Sequence, residues 1–415
     1  MATVESQTAP GGPPASGPPV SSGNPLLRMW NDKEARSVIF QVLTVIGLFA
    51  FFAYIGTNAV ANLAAVGKTF SFNFLGEPAS YDINQTLIEY TSQSTHLRAA
   101  IVGVLNTLLV AVCGIIAASI LGFIFGVLRL SHNWLINRIV YCFIEFTRNV
   151  PLLLHIFLIH GIIVHSLPLP PTLRNPERAV SLFDQIFLAN RGVYIPKPDF
   201  QAAFWVVVIA FVVGIAGFVM FKKWAKAQQE ATGKIYPVFW IGLGAILGLP
   251  ILAFLVTGLP INWQTPTLGR FNLQGGMVII PEFIALWLAL TLYTSAFIAE
   301  IVRAGILAVS HGQWEAAMAL GVKRSRILNL IIIPQALRVI IPPLTSQYLN
   351  LTKNSSLAIA IGYMDIVATL GGISLMQTGK EMETMIMVLA FYLIISLLIS
   401  AFMNWYNKRI KLVER

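Results

Sequence analysis

The sequence predicts an all-α, polytopic membrane protein with about eight transmembrane helices. Of its 415 residues, 56% are hydrophobic and 11% are charged, and the mean hydropathy is +0.73. A water-facing surface needs about a quarter of all residues charged, so secreted, cytosolic and disordered classes are excluded. Segments that approach the roughly 20 apolar residues needed to cross a bilayer core are 38–55, 101–128, 150–167, 202–221, 235–259, 283–309, 339–363 and 385–405.

The amino-terminal region predicts a tail followed by a retained membrane anchor. Residues 2–25 are rich in Pro, Gly and Ser and nearly free of large apolar side chains, which is typical of disorder. We therefore expect a disordered cytoplasmic tail over 1–36. The first apolar segment has no small-residue cleavage pattern after it, so 37–100 is interpreted as an anchor and the loop that follows it.

Basic residues in the loops predict the orientation of the chain. Lys and Arg concentrate in the loops on the side of the amino terminus, which is the positive-inside asymmetry. We therefore expect both termini in the cytoplasm. The net charge of +10 follows from this topology, so it needs no nucleic-acid partner.

Catalytic and metal chemistry have no recognisable residues in this sequence. No complete glycine-rich phosphate loop is present: Gly67-Lys68-Thr69 has Asn62 where the loop needs its first glycine, and the other two Gly-Lys pairs are not followed by Ser or Thr. His155, His160 and His165 are five residues apart, so on a helix they point in different directions and cannot converge on one ion. We predict individually satisfied histidines, of which one could contact substrate, and no catalytic or metal site.

Two pairs of glycines predict close approaches between helices. Gly122 with Gly126, and Gly244 with Gly248, have the small-xxx-small spacing. Ordinary packing within the chain is the favoured interpretation, ahead of a dedicated dimer interface.

The cytoplasmic connection after the sixth segment reads as a helix, a glycine turn and a second helix. Residues 315–320 favour a helix, and Gly321 permits a chain reversal. A basic stretch with Lys323, Arg324 and Arg326 follows. Such a short element on a membrane domain can dock into a groove of a partner protein. The alternative is a solvated loop held inside by its basic residues.

The same stretch resembles a known family. Glu315-Ala316-Ala317, three residues, Gly321, nine residues and then Ile331-Ile332-Ile333-Pro334 are very similar to the EAA loop of ABC importer permeases, with Ile333 in the usual place of Leu. Segments 148–153, 334–338 and 353–357 resemble the polar amino acid subclass, that of the histidine and glutamine permeases. The resemblance runs from about Asn106 to the carboxyl end and is interrupted between the third and sixth segments.

This resemblance implies a fold and a set of partners. A permease domain over 101–415 would contain a five-helix core, interrupted by an insertion at 168–282 that adds two helices. The long form looks like the larger permease subunit of general L-amino acid, or glutamate, glutamine and aspartate, importers of the inner membrane. It implies a second, paralogous permease, an ABC ATPase dimer and a periplasmic amino-acid-binding protein. ATP and Mg would bind to the ATPase, and this chain would bind no cofactor and would not be an enzyme.

The resemblance also implies which residues couple transport to ATP hydrolysis. The residues of the EAA loop that match the family, with the basic residues beside them, are Glu315, Ala316, Ala317, Gly321, Lys323, Arg324 and Pro334. Glu315 is expected to anchor the loop at the ATPase groove, and Gly321 is the turn that a side chain would distort.

Polar residues within the apolar segments are candidates for the substrate pathway. A zwitterion in a low dielectric needs charges and dipoles, and the candidates are Asn106, Thr107, Thr294, Ser295, Glu300, Gln347, Asn350, Lys353 and Asn354. Glu300 is three residues before Arg303, and a pairing between these two is favoured over substrate contact. For Lys353, contact with a substrate carboxylate and snorkelling to the membrane surface are equally favoured.

Two other function classes are alternatives to the ABC permease. An ion-gradient-driven secondary amino acid transporter would place its coupling site in the sixth and seventh segments and need no ATPase. A membrane-embedded enzyme or scaffold has no reactive group of residues to support it.

Overall fold

The computed structural model describes residues 32–174, 181–182, 185–269 and 272–410. The chain divides into two compact units with their boundary between Ser71 and Phe72. The first unit contains α1 (Lys33–Ala65), which begins after the Asp32 cap and buries none of its side chains. Residues 1–31 of the predicted tail lie outside the described residues, whereas Lys33 already belongs to α1. The loop at 72–95 falls in the second unit.

Helices build most of the second unit. In chain order they are α2 (His96–Leu128), α3 (Trp134–Asn149), α4 (Leu152–Ser166), α5 (Phe204–Thr232), α6 (Val238–Val256), α7 (Pro281–Leu307), α8 (His311–Ala319), α9 (Arg324–Ile361), α10 (Leu375–Thr378) and α11 (Glu381–Ile410). A π-helical turn, Leu328–Ile332, lies within α9, and a π-helical segment, Val367–Ser374, leads into α10. In the described part of the chain seven helices are long and apolar enough to span a membrane, or eight if α3 and α4 form one span. The predicted polytopic helical fold is confirmed.

Helix α7 lies at the centre of the core and packs against α2, α3, α4 and α9. Small residues allow the closest of these contacts, because a Cβ atom at Gly122 would collide with Ile298, and one at Gly126 with Val302. The predicted intrachain packing of this glycine pair is therefore confirmed. In contrast, Gly244 has open space around it.

The third predicted segment is a short helix after a sharp bend. α3 and α4 meet at 108°, where Val150 has an extended backbone and Pro151 precedes the first residue of α4. A proline disfavours the helical conformation of the residue before it. This explains why α3 stops at Val150. With 15 residues, α4 is about 22 Å long, well short of a bilayer core of about 30 Å.

The insertion contains the predicted helix pair, α5 and α6, which pack against each other. It also contains short strands that the sequence analysis did not predict: β1 (Ser181–Leu182), β2 (Ile186–Ala189), β3 (Gly192–Ile195), β4 (Lys197–Phe200), β5 (Ile261–Gln264), β6 (Thr267–Leu268), β7 (Leu273–Gln274) and β8 (Met277–Ile279). They form antiparallel sheets in the orders β1-β2-β3-β8, β4-β5 and β6-β7.

These strands connect the inserted pair to the core. β4 precedes α5 and β5 follows α6, so the pairing of β4 with β5 brings the beginning of α5 close to the end of α6. β8 pairs with β3 immediately before α7 begins. We call this end of the second unit the strand end. The opposite end of α7, where α8 follows, is called the loop end.

Candidate coupling site and translocation pathway

The α8 helix ends in a tightly defined turn at Gly321. The Gly321 N–H donates to the Met318 carbonyl oxygen at 2.9 Å, and the Val322 N–H donates to that of Ala317 at 3.2 Å. This pair of bonds is the Schellman motif, which requires a left-handed residue after the helix. Gly321 supplies it with a φ of +70°. The predicted helix, glycine turn and helix are therefore present, and the direction in which α8 leaves α9 is set by hydrogen bonds.

One face of α8 is anchored to the beginning of α9. Ala317 is buried and shares an apolar cluster with Ile327 and Ile332 of α9. Val322 packs against the same cluster, as the residue after the glycine does in a Schellman turn. The Arg324 guanidinium lies over the Trp314 ring at 5.8 Å from its centroid. Because α8 is tied to α9 in these ways, a force on α8 reaches α9 directly.

The other face of α8 is open. Glu315 and Ala316 are exposed, Leu320 is 81% exposed, and His311, Trp314, Met318 and Arg324 line a cavity of about 320 Å³. His311 Nδ1 lies 3.0 Å from Glu315 Oε1. The exposed basic residues Lys323 and Arg326 flank this surface. Met318 and Leu320 are both exposed among these ionisable groups, and an exposed apolar patch rimmed by polar residues is a feature of protein contact sites.

Pro334 lies just after the π-helical turn in α9. It has no N–H to donate within the helix, and a proline ring also clashes with the preceding turn. The π-helical turn, Leu328–Ile332, widens the helix at this point. Pro334 therefore sets the shape of the helix that carries α8 and does not itself belong to the exposed surface, since it is half-buried.

Asn106 and Thr107 hold the strand end together. Asn106 Nδ2 donates to the backbone oxygens of Gln85 and Met364, each at 2.9 Å. Thr107 Oγ1 donates to the Gly103 carbonyl oxygen and accepts from the Ile366 N–H. Both residues are fully buried. The structure therefore places them in packing contacts rather than on an open pathway.

The polar candidates on α7 are also turned into the protein. Thr294 and Ser295 are buried, and Ser295 Oγ donates to the Leu292 carbonyl oxygen. Glu300 Oε2 lies 2.9 Å from Arg303 Nη2 and also accepts from Arg303 Nε at 3.0 Å. The favoured pairing of Glu300 with Arg303 is present.

The polar candidates on α9 lie together on its outer surface. At about 100° per residue, Ser346, Asn350 and Lys353 fall on one face, with Gln347 and Asn354 beside it. Ser346, Asn350 and Lys353 are exposed, and Gln347 and Asn354 are half-buried. The opposite face of α9, with Ile340, Leu344 and Leu351, is buried against the core. We call the five polar residues the α9 polar face.

The three histidines of α4 lie in three different environments, as the sequence predicted. His155 is buried against the rings of Phe146 and Tyr293, with Nδ1 3.2 Å from the Pro151 carbonyl oxygen. His160 lines a cavity at the strand end, and His165 is exposed. Among the described residues no group of His, Cys, Asp or Glu is arranged to hold a metal ion.

Asp365 is a buried acid that is not among the site residues predicted from the sequence. It lies between α9 and the π-helical segment, where its Oδ1 accepts from the Ala368 N–H at 2.8 Å. Burial raises the pKa of Asp365 to about 7. The signal in the sequence was a single acidic residue in the otherwise uncharged stretch 354–379.

Comparisons with known proteins identify the family. Residues 232–412 match the model of the binding-protein-dependent transport system inner membrane component. The chain is 47% identical to the general L-amino acid transport system permease protein of Rhizobium johnstonii, over 92% of this chain and 94% of that protein. It is also 47% identical to a putative amino-acid ABC transporter permease protein of Escherichia coli, over 95% of this chain and 97% of the relative.

A third relative is the glutamate/glutamine/aspartate/asparagine transport system permease protein of Rhodobacter capsulatus. It is 46% identical over 97% of this chain and 99% of its own length. Together with the multi-pass helical fold, these matches define a membrane permease of the binding-protein-dependent type. The chain belongs to the permease subunits of amino acid ABC transporters, and it is not itself an enzyme. Membership implies a separate ATPase and a substrate-binding protein as partners.

Proposed function

We propose that this chain carries polar L-amino acids across the inner membrane and is moved by its ATPase through α8. The observation that carries this proposal is the two-sided α8 helix, anchored to α9 through Ala317 and open along Glu315 and Ala316. An ATPase that closes on ATP would push the open face, and the anchored face would pass the movement to α9. ATP and Mg bind to the ATPase in this scheme. Both termini, and with them the loop end, face the cytoplasm.

The proposed substrate pathway runs along the α9 polar face. Exposed Asn350 and Lys353 would be costly against lipid, and polar side chains within spans usually face protein or water. A second permease is the partner that fits, with the pathway between the two chains. We propose a paralogue in this place, giving a heterodimer. Asn106, Thr107, Thr294 and Ser295 hold the walls in this arrangement, since they are buried and pack between core elements.

Reconstituted uptake tests the proposed function. The permease pair, ATPase and binding protein are placed in proteoliposomes, and uptake of radiolabelled L-glutamine is followed with ATP or with an imposed ion gradient. We expect uptake with ATP alone. Uptake by the permeases on an ion gradient without the ATPase would support the secondary transporter instead.

The pathway is tested in the same assay by placing an apolar side chain on the α9 polar face. Asn350→Leu is expected to reduce ATP-driven uptake at least tenfold, because one polar contact of a desolvated zwitterion is worth about 1.5–3 kcal/mol. Thr44→Leu on α1 is the matched control, since Thr44 is also an exposed polar residue of an apolar helix. Equal uptake by both variants would contradict the assignment.

A further inference from the structure

Besides the cavity on α8, a second polar cavity lies at the strand end. The residues that line it are distant in sequence from α8 and from the α9 polar face. Its volume is about 560 Å³, within the range of about 300–1,000 Å³ typical of small-molecule sites. Several parts of the fold line it, including the loop before α2 with Asn84. The β2–β3 hairpin contributes Asn190, Arg191 and Tyr194, α4 contributes His160, and the first turn of α7 contributes Glu282.

The cavity brings together two opposite charges, and no other described residue neutralises either of them. Arg191 and Glu282 both line it, and among the described residues neither forms an ion pair. The Asn190 Oδ1 atom is buried without a hydrogen-bond partner among the same residues. Tyr194, in contrast, already donates its hydroxyl hydrogen to Asn272 Oδ1 at 2.9 Å. Unpaired groups of both signs and a free amide oxygen are suited to a polar ligand.

The hairpin that carries Arg191 is held in place by the core. The Asn190 N–H donates to the Pro168 carbonyl oxygen at 3.0 Å, just beyond the end of α4. Val193 pairs with Ile279 of β8, and α7 with Glu282 starts two residues later. Gly192 permits this approach, because a Cβ atom there would collide with the Ile279 carbonyl oxygen. The positions of the two charges are therefore linked through backbone contacts.

We propose that this cavity binds a zwitterionic α-amino acid, with its carboxylate on Arg191 and its ammonium group on Glu282. An anion without an ammonium group would face Glu282, and a cation without a carboxylate would face Arg191, so the pair selects a molecule with both charges. Asn190 Oδ1 accepts a further hydrogen bond from the ligand. The ligand class rests on the proposed function. The site itself is an addition to it, formed largely by the insertion at 168–282.

The location gives this site a distinct place in transport. Glu282 lies in the first turn of α7 and α8 follows the end of α7, so Glu282 and α8 lie about 40 Å apart along a helix of 27 residues. The cavity therefore lies at the end of the core remote from the ATPase-coupling surface. An amino acid bound there would not yet have reached the α9 polar face of the proposed pathway.

Binding of chemically altered ligands tests the proposal. The purified permease complex, without binding protein or nucleotide, is titrated with L-glutamine, N-acetyl-L-glutamine and L-glutamine α-amide. The two derivatives lack the ammonium group and the carboxylate, respectively. We expect L-glutamine to bind, and Arg191→Ala and Glu282→Gln each to weaken it about tenfold or more, since hydrogen bonds to charged groups are worth about 1.5–3 kcal/mol.

The pattern among the derivatives identifies the contacts. Arg191→Ala should no longer distinguish L-glutamine from its α-amide, and Glu282→Gln should no longer distinguish it from the N-acetyl form. Lys197→Ala and Asp199→Asn are matched controls, because both residues are exposed on β4 and do not line the cavity. Thermal unfolding of each variant confirms that it is folded.

Three outcomes would overturn the proposal. These are no binding by the unaltered complex, unchanged discrimination in both variants, and variants that weaken only the docking of the binding protein. ATP-driven uptake by the unaltered transporter distinguishes a failure of the cavity assignment from a failure of the proposed transport function. If uptake occurs but the variants bind L-glutamine normally, the cavity assignment fails and the transport function stands.

Discussion

At the scale of single residues, Gly321 is the position where backbone conformation matters most. Its φ of +70° is held by the two hydrogen bonds that end α8. No neighbouring atom lies within 4 Å of a Cβ built at this position, so the cost of a side chain there comes from backbone strain and not from crowding. An L-residue in this conformation costs about 1–2 kcal/mol, with Asn better tolerated than most.

A pair of glycine substitutions tests this argument. Gly321→Ala should lower ATP-driven uptake severalfold, and Gly321→Asn should restore most of it, because Asn adopts the left-handed conformation more readily. Gly312→Ala is the control, since Gly312 lies in the first turn of α8 and its φ is not positive. Uptake in proteoliposomes provides the measurement. A Gly321→Asn variant as impaired as Gly321→Ala would argue against backbone strain.

Asp365 gives the protein a predictable response to pH. Its pKa of about 7 in the folded state lies above the ordinary value of 3.8, so between about pH 4 and 7 the folded protein binds more protons than the unfolded chain. This group therefore favours folding at low pH, and its contribution is lost as the pH rises through that window. Each unit of pKa corresponds to about 1.4 kcal/mol.

Substitution by an amide should remove this dependence. In Asp365→Asn the thermal midpoint should change less between about pH 5 and 8 than in the unaltered protein, because the amide has no charge to bury. The amide oxygen can still accept from the Ala368 N–H. Asp82→Asn, on an exposed loop residue, is the control. Identical pH profiles for the unaltered protein and Asp365→Asn would refute the assignment.

At the scale of elements, the rigid attachment of α8 to α9 depends on a small buried residue. Ala317 is buried in one apolar cluster with Ile327 and Ile332, whereas the neighbouring Ala316 is exposed. Adding a larger side chain to a filled core position costs about 1–3 kcal/mol. Ala317→Leu should therefore loosen α8, and Ala316→Leu should leave it in place.

Limited proteolysis measures this attachment without the ATPase. Trypsin cleavage after Lys323 and Arg324 should be several times faster in Ala317→Leu than in the unaltered protein, because local opening exposes the backbone. Ala316→Leu should be cleaved at the unaltered rate. Equal cleavage of all three proteins would show that α8 is not held through Ala317.

Helical elements followed from the sequence more completely than the strands did. Long apolar runs identify spanning helices by length and composition, and the inserted α5 and α6 were expected on this basis. The strands are two to four residues long, as in β3, so they contain too few alternations to be recognised. The predicted third segment began at Val150, so helix α3 and the bend after it were missed, because Arg138, Glu145 and Arg148 interrupt the apolar residues of α3.

The candidate site was predicted unevenly for a related reason. The EAA motif is contiguous in the sequence, so its resemblance to the family selected Gly321 and Ala317 without knowledge of tertiary contacts. Polarity could not separate Asn106, which is buried and bonded to Gln85 and Met364, from exposed Asn350. Whether a polar residue holds the wall or faces the pathway depends on contacts distant in sequence. The cavity with Arg191 and Glu282 likewise joins positions that only the folded insertion brings together.

At the scale of the whole molecule, the two ends of the second unit have different tasks in this account. The loop end presents α8 for the ATPase, and the strand end presents polar surfaces for the amino acid and the binding protein. α7 joins them through the centre of the core. In the proposed function the ATPase acts at the loop end and the amino acid enters at the strand end, so transport would depend on this connection.

The most direct test of this account is photo-crosslinking from α8 in the assembled transporter. A photoreactive residue at Ala316, on the open face, should form an adduct with the ATPase, and the same residue at Lys197, on β4 at the strand end, should form none. An ATPase adduct from position 316 alone is the predicted result. Absence of that adduct in a complex that transports with ATP, or equal adducts from both positions, would contradict it.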